Sequence, residues 1–119
     1  DKVRPIIFYT NGYDIWIWND KNNDPPRKLY GFYSPASLER LRWQNKYRAK
    51  SLVHFGEPDP NIVDRDYQTT AIKQVCERFD DQRKRKALLV LATGTGKTRV
   101  AVALADLLKK ANWVKRVLF

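Results

Sequence analysis

The sequence predicts an α/β chain in two parts, and three observations carry that reading. Two strand-like stretches flank an Asn-Gly pair near the start, Ser34-Pro35 opens a helix, and an apolar run, a glycine-rich loop and a helix follow one another after residue 86. A length of 119 residues allows one ordinary domain, or one domain with pieces of another. Apolar residues make up 43% and aromatics 13%, enough for a packed core, and the 30% of charged residues fits a soluble chain rather than a disordered one.

The charge balance narrows the function classes. There are 23 basic and 13 acidic residues, a net charge of +10. Residues 1–60 hold 10 basic and 7 acidic groups, a net +3, whereas residues 61–119 hold 13 and 6, a net +7. Such a balance favours a polyanionic partner, with nucleic acid first. No apolar run approaches the roughly 18–20 residues of a membrane span, so no membrane association is expected. The single cysteine excludes a disulfide framework and fits a reducing cytosol. Asp1-Lys2-Val3-Arg4-Pro5 lacks the apolar stretch of a signal peptide. Methionine is absent, which points to a segment excised from a longer reading frame.

Each element has its own local signal. Pro5–Thr10 and Tyr13–Trp18 are rich in β-branched and aromatic residues and read as a hairpin. Asn11-Gly12 between them fits a two-residue type I′ turn, which needs positive φ at both positions. On the second strand Tyr13, Ile15 and Ile17 share one face and Trp16 and Trp18 the other, so the hairpin calls for cover on both sides. A polar loop, Asn19–Pro26, leads to a third strand at Arg27–Tyr33. Ser34 caps and Pro35 starts a helix running to about Lys50, packed through Leu38, Leu41 and Tyr47 and basic on its solvated side. Leu52–Val63, with two prolines, a glycine and no clear period, reads as a linker, with the boundary near residue 58.

Beyond it the pattern becomes α/β. Tyr67–Phe79 spaces Ala71, Ile72, Val75, Cys76 and Phe79 as the apolar stripe of a helix. Ala87–Leu91 reads as a buried parallel strand, Thr98–Lys110 as a second helix, and Arg116–Phe119 as the start of another strand. Two strands do not make a doubly wound sheet, so this part is expected to be cut short.

The chemistry concentrates in Leu91-Ala92-Thr93-Gly94-Thr95-Gly96-Lys97-Thr98, a Gly-Lys-Thr loop between a strand pattern and a helix. Gly94 and Gly96 let backbone N–H groups turn toward phosphate oxygens, and the following helix adds its positive end. Lys97 would sit against the β- and γ-phosphates of ATP, and the Thr98 hydroxyl would ligate Mg²⁺. The commonest phosphate-loop pattern has a glycine where Leu91 stands; what remains is the Ala-x-Gly-x-Gly-Lys-Thr form. Upstream, Arg65-Asp66-Tyr67-Gln68 precedes a helix, and the planar amide of Gln68 matches the N6 and N7 edge of adenine. The expected ATP-binding set is Arg65, Gln68, Thr93, Gly94, Thr95, Gly96, Lys97 and Thr98, with Lys97 as the catalytic member and Thr98 the Mg²⁺ ligand.

These residues resemble superfamily 2 helicase-type motors: Arg65, Tyr67, Gln68 and Ala71 are similar to their Q-type motif, and Ala92–Thr98 to motif I. More narrowly, the chain resembles the restriction subunit of type I restriction enzymes. Pro5–Gly12, Gly31–Pro35 before Leu38-Glu39-Arg40-Leu41, and Lys86–Thr98 carry this resemblance. It implies that residues 1–33 are closing strands of a PD-(D/E)xK-type nuclease domain, 34–60 a helical connector, and 61–119 the truncated start of a RecA-like parallel α/β motor lobe. The implied activity is ATP-dependent translocation of double-stranded DNA coupled to endonucleolytic cleavage, in a bacterial or archaeal cytoplasm, beside modification (methyltransferase) and specificity subunits. On this comparison the nuclease carboxylates and lysine fall before Asp1. The acidic Mg²⁺ motif and the second lobe fall after Phe119, so residues 1–119 alone are expected to be inactive. The alternatives are another superfamily 2 motor, such as a repair helicase or a type III restriction subunit, and a non-catalytic nucleotide- or DNA-binding module.

The remaining candidates have plainer readings. His54 has no second ligand at metal spacing and reads as a loop residue; Cys76 lies on an apolar stripe and reads as core. Trp16 and Trp18 read as sheet packing rather than base stacking, and Arg83-Lys84-Arg85-Lys86 as a solvated turn.

Overall fold

A computed structural model describes residues 4–22 and 24–119. The first residues of the expected nuclease strands, 1–3, and position 23 of the polar loop lie outside the described residues. The chain forms two compact units, one ending at Tyr47 and the other beginning at Arg48.

The first unit is an antiparallel sheet with a helix. Strands β1 (Ile7–Thr10), β2 (Ile15–Trp18) and β3 (Arg27–Leu29) pair in sequence order. Phe8 faces Ile17, Tyr9 faces Trp16, and Ile15 faces Leu29. Opposite residues share a face, so Phe8, Ile15, Ile17 and Leu29 lie together and Ile17 and Leu29 are buried. On the other face Tyr9 and Trp16 stack with centroids 6.2 Å apart. Phe8 also meets Phe32 and Tyr33 at 5.8 and 5.7 Å. The third strand is shorter than its sequence pattern, ending at Leu29, and Tyr30 is fully exposed.

The hairpin is present but its turn is not type I′. Thr10 pairs with Ile15, so four residues, Asn11 to Asp14, make the connection. Gly12 has φ +93, whereas Asn11 does not enter the left-handed region. The reason is the Asn11 side chain, whose Oδ1 accepts the N–H groups of Tyr13 and Asp14 at 3.0 and 2.9 Å. This side-chain turn replaces the backbone geometry that Asn-Gly would otherwise adopt.

Helix α1 (Pro35–Tyr47) begins as the sequence indicates, with Ser34 Oγ accepting the Ser37 N–H at 3.2 Å. It stops three residues before Lys50. Leu38 and Leu41 are half-buried and Tyr47 is exposed, so Tyr47 is not the packing residue its spacing implies. Paired amide bonds between Asn19 and Asn45, 2.9 and 3.0 Å, hold α1 to the loop after β2.

The second unit is helical. Helix α2 (Asp66–Asp80) and helix α3 (Lys97–Lys110) seal Ile72, Cys76, Val100, Ala103 and Leu107 in a common core with Leu52 and Val63. The stretch expected as a linker therefore contributes core residues. It is fixed by the buried Asp80 carboxylate, which accepts the Leu52 N–H at 2.7 Å and the Ser51 hydroxyl at 3.1 Å. Satisfying backbone donors in this way lets an irregular segment lie against the core.

Residues 87–91 and 116–119, expected as parallel strands, are not strands. They run without ladder partners; Leu88 and Val90 are 87% and 85% exposed, and Leu118 is 98% exposed. An apolar run signals burial on both faces, but a strand exists only where a neighbour supplies the opposing backbone groups. The order loop then helix is observed; the parallel sheet is not. No described helix is long and apolar enough to cross a membrane.

Candidate nucleotide site

The candidate site lies in the second unit, where residues 92–96 turn into α3. Gly94 has φ +81 and Gly96 φ +78. A side chain in this left-handed region costs about 1–2 kcal/mol, which explains glycine at both places. Gly96 is constrained twice, because a β-carbon there would stand 2.6 Å from Gln68 Nε2. A β-carbon at Gly94 would meet nothing within 4 Å, so that side of the loop is open.

Thr95 locks the turn. Its hydroxyl and N–H both donate to the Ala92 carbonyl, at 2.6 and 3.3 Å. Its own carbonyl points to the start of α2, where it accepts the Tyr67 hydroxyl at 2.8 Å and Gln68 Nε2 at 3.1 Å. The Arg65 N–H donates to Gln68 Oε1 at 3.4 Å, and the Arg65 guanidinium donates to the Tyr67 oxygen at 3.2 Å. Tyr67, and after it Asp64, push the Arg65 pKa up, so the guanidinium stays charged.

Lys97 and Thr98 form the first residues of α3 and are exposed, as are Thr93 and Gly94. The first turn of α3 contains no acidic residue, so the helix N-terminal charge adds to those of Lys97 and Arg99. Backbone donors at a helix start, an ammonium and a hydroxyl form a set suited to phosphate oxygens. Among the described residues no three His, Cys, Asp or Glu side chains gather as a metal site.

The expected residues thus come together in one place: Arg65 and Gln68 on the α2 side, Thr93 to Thr98 on the loop side. Gln68 differs from its sequence reading in one respect. It is only 3% exposed, and both ends of its amide engage protein, bracing the loop. One N–H and one lone pair of that amide are left over by these bonds. Sequence reasoning missed the Tyr67 hydroxyl as a contact of the loop; adjacency to Gln68 was the available signal. It also missed Asp80, which the sequence places at the start of a charged turn, 80–86, and which instead ends α2.

Cys76 and His54 follow their plain readings. His54 is exposed. Burial, with Asp80 and Glu77 nearby, pushes the Cys76 thiol up to about 11, leaving it protonated and unreactive at neutral pH. Residues 83–86 are all exposed.

The glycine loop and its α2 brace sit within the half of the chain that matches a known family: residues 61–119 correspond to the family described as type III restriction enzyme, res subunit. The chain is similar to this class of helicase-like restriction-enzyme subunits. Over 97% of its length it is 32% identical to the type I restriction enzyme EcoAI endonuclease subunit of Escherichia coli. It spans 15% of the length of that relative. No solved structure matches the chain.

Proposed function

We propose that residues 93–98 bind the phosphates of ATP with Mg²⁺, within the restriction subunit of a type I restriction-modification enzyme. The observation that carries this reading is the loop itself: two left-handed glycines open onto the N-terminus of α3, with Lys97 and Thr98 at its first two positions. The open side at Gly94 leaves room for an anion beside backbone donors. In this reading the Lys97 ammonium neutralises the terminal phosphates, and the Thr98 hydroxyl holds Mg²⁺. The remaining amide valences of Gln68 serve adenine. Bound ATP supplies the phosphoryl group whose hydrolysis powers movement on double-stranded DNA.

The domain assignment belongs to the same proposal. Residues 1–33 close a PD-(D/E)xK-type nuclease domain, 34–60 connect, and 61–119 open a RecA-like motor lobe. The unpaired apolar stretches 87–91 and 116–119 then await neighbouring strands of that lobe. The choice of a type I system rests on residues 1–60. They lie outside the type III family match, whereas the alignment with the type I relative covers 97% of the chain. Modification and specificity subunits would be the partners.

Lys97→Ala in the complete subunit is the test. The variant should lose DNA-dependent ATP hydrolysis and restriction by on the order of 100-fold or more, as when a principal charge-stabilising group is removed from an active site. Undiminished restriction by Lys97→Ala would end the assignment.

A further inference from the structure

On the reading of residues 93–98 as a phosphate loop, we infer that the Tyr67 hydroxyl is a positioning group. With Gln68 it fixes the Thr95–Gly96 peptide, so that the Gly96 N–H is aimed away from α2 and toward the bound phosphate. Tyr67 lies just inside α2, whose first turn meets the loop at the Thr95 carbonyl. Its oxygen is 2.8 Å from the Thr95 carbonyl.

The geometry works through the peptide plane. The described residues contain no cis peptide bond, and in a trans peptide the C=O and the following N–H point in opposite directions. Drawing the Thr95 oxygen toward α2 therefore turns the Gly96 N–H outward. A peptide that precedes a left-handed glycine is easily rotated, since glycine accepts both signs of φ at little cost. A single donor on the carbonyl would permit such rotation; two donors from adjacent residues, at 2.8 and 3.1 Å, oppose it. Arg65 completes the arrangement. Its guanidinium occupies a lone pair of the Tyr67 oxygen at 3.2 Å, which commits the tyrosine hydrogen to Thr95.

Tyr67 can be probed without opening the interior. It is 40% exposed, so Tyr67→Phe removes the hydroxyl and keeps the ring, whereas a change at buried Gln68 alters the packing as well. The experiment is steady-state, DNA-dependent hydrolysis of ATP by the enzyme assembled with the complete subunit. Wild type, Tyr67→Phe and Lys97→Ala are compared, each with a thermal melt. The expected result for Tyr67→Phe is a KM for ATP raised about 2- to 10-fold, the range of one net hydrogen bond, with kcat and melting temperature unchanged. A wild-type KM in Tyr67→Phe beside an inactive Lys97→Ala overturns the inference while the phosphate-loop reading stands. A lowered melting temperature with KM unchanged also overturns it, by making the hydroxyl a strut of the fold. Full turnover in Lys97→Ala removes the reading and the inference together.

Discussion

The two units reach order by different means. Up to Tyr47 the chain relies on ladders between strands that are neighbours in sequence, and leaves Tyr9, Tyr13 and Trp18 exposed. From Arg48 onward there is no ladder among the described residues. Order comes from apolar side chains sealed between α2 and α3, with Ile72 and Ala103 wholly enclosed. A hairpin needs only the next few residues to complete its hydrogen bonds. A parallel strand needs a partner far along the chain, and residues 87–91 carry the composition of such a strand without one.

That contrast can be broken most forcefully at the cores. Ile72→Ala should cost about 2–5 kcal/mol, because an enclosed side chain leaves a cavity that two packed helices fill poorly. Ile17→Ala, on a sheet with its other face in solvent, belongs at the lower end of that range. Hydrogen exchange read by peptide would show it: Ile72→Ala should strip protection from α2 and α3 more than Ile17→Ala strips it from β2. Equal losses would mean that the two units are sealed to the same degree.

The next comparison lies inside the loop. Both glycines have positive φ, but only Gly96 is pressed against Gln68 Nε2. Gly94→Ala should carry the backbone penalty alone, about 1–2 kcal/mol. Gly96→Ala should carry that penalty and also displace the amide that braces Thr95, so it should lower stability further and weaken nucleotide binding more. Denaturant midpoints of the two variants measured side by side would check the order. A larger effect at Gly94 would contradict the close approach.

The smallest expected effect is a pH dependence confined to the helical unit. Burial raises the Cys76 thiol from 9.0 to about 11. The unfolded chain therefore releases this proton at lower pH than the folded one. Between about pH 9 and 11 the folded state binds more protons, so stability from this group is intact below 9 and declines as pH rises through that window. Cys76→Ser should flatten the decline in melting temperature over this interval. An unchanged slope would show that other groups set it.

What the sequence revealed follows the same division. The hairpin was legible because its partners are adjacent, and the Ser34-Pro35 start because its cap lies three residues from its donor. The helical stripes of α2 and α3 were legible from spacing, and the glycine loop from its two glycines and the helix that follows. The Asn-Gly pair misled because one side-chain oxygen, Asn11 Oδ1, captures two N–H groups and removes the need for a second positive φ. Residues 52–63 misled because Leu52 and Val63 bury singly, without a period, once Asp80 satisfies the backbone nearby. Of the site, the residue types were legible. The convergence of Tyr67 and Gln68 on the Thr95 carbonyl was not, since it depends on how α2 packs beside the loop.

In the proposed function, the loop at the start of α3 holds nucleotide phosphates through Lys97. Equilibrium binding of a fluorescent ATP analogue, with Mg²⁺, to the complete subunit tests it most directly, comparing wild type with Lys97→Ala. The expected result is saturable binding, displaced by unlabelled ATP, and weakened about tenfold or more by loss of the ammonium. Equal affinity in the two proteins would contradict it.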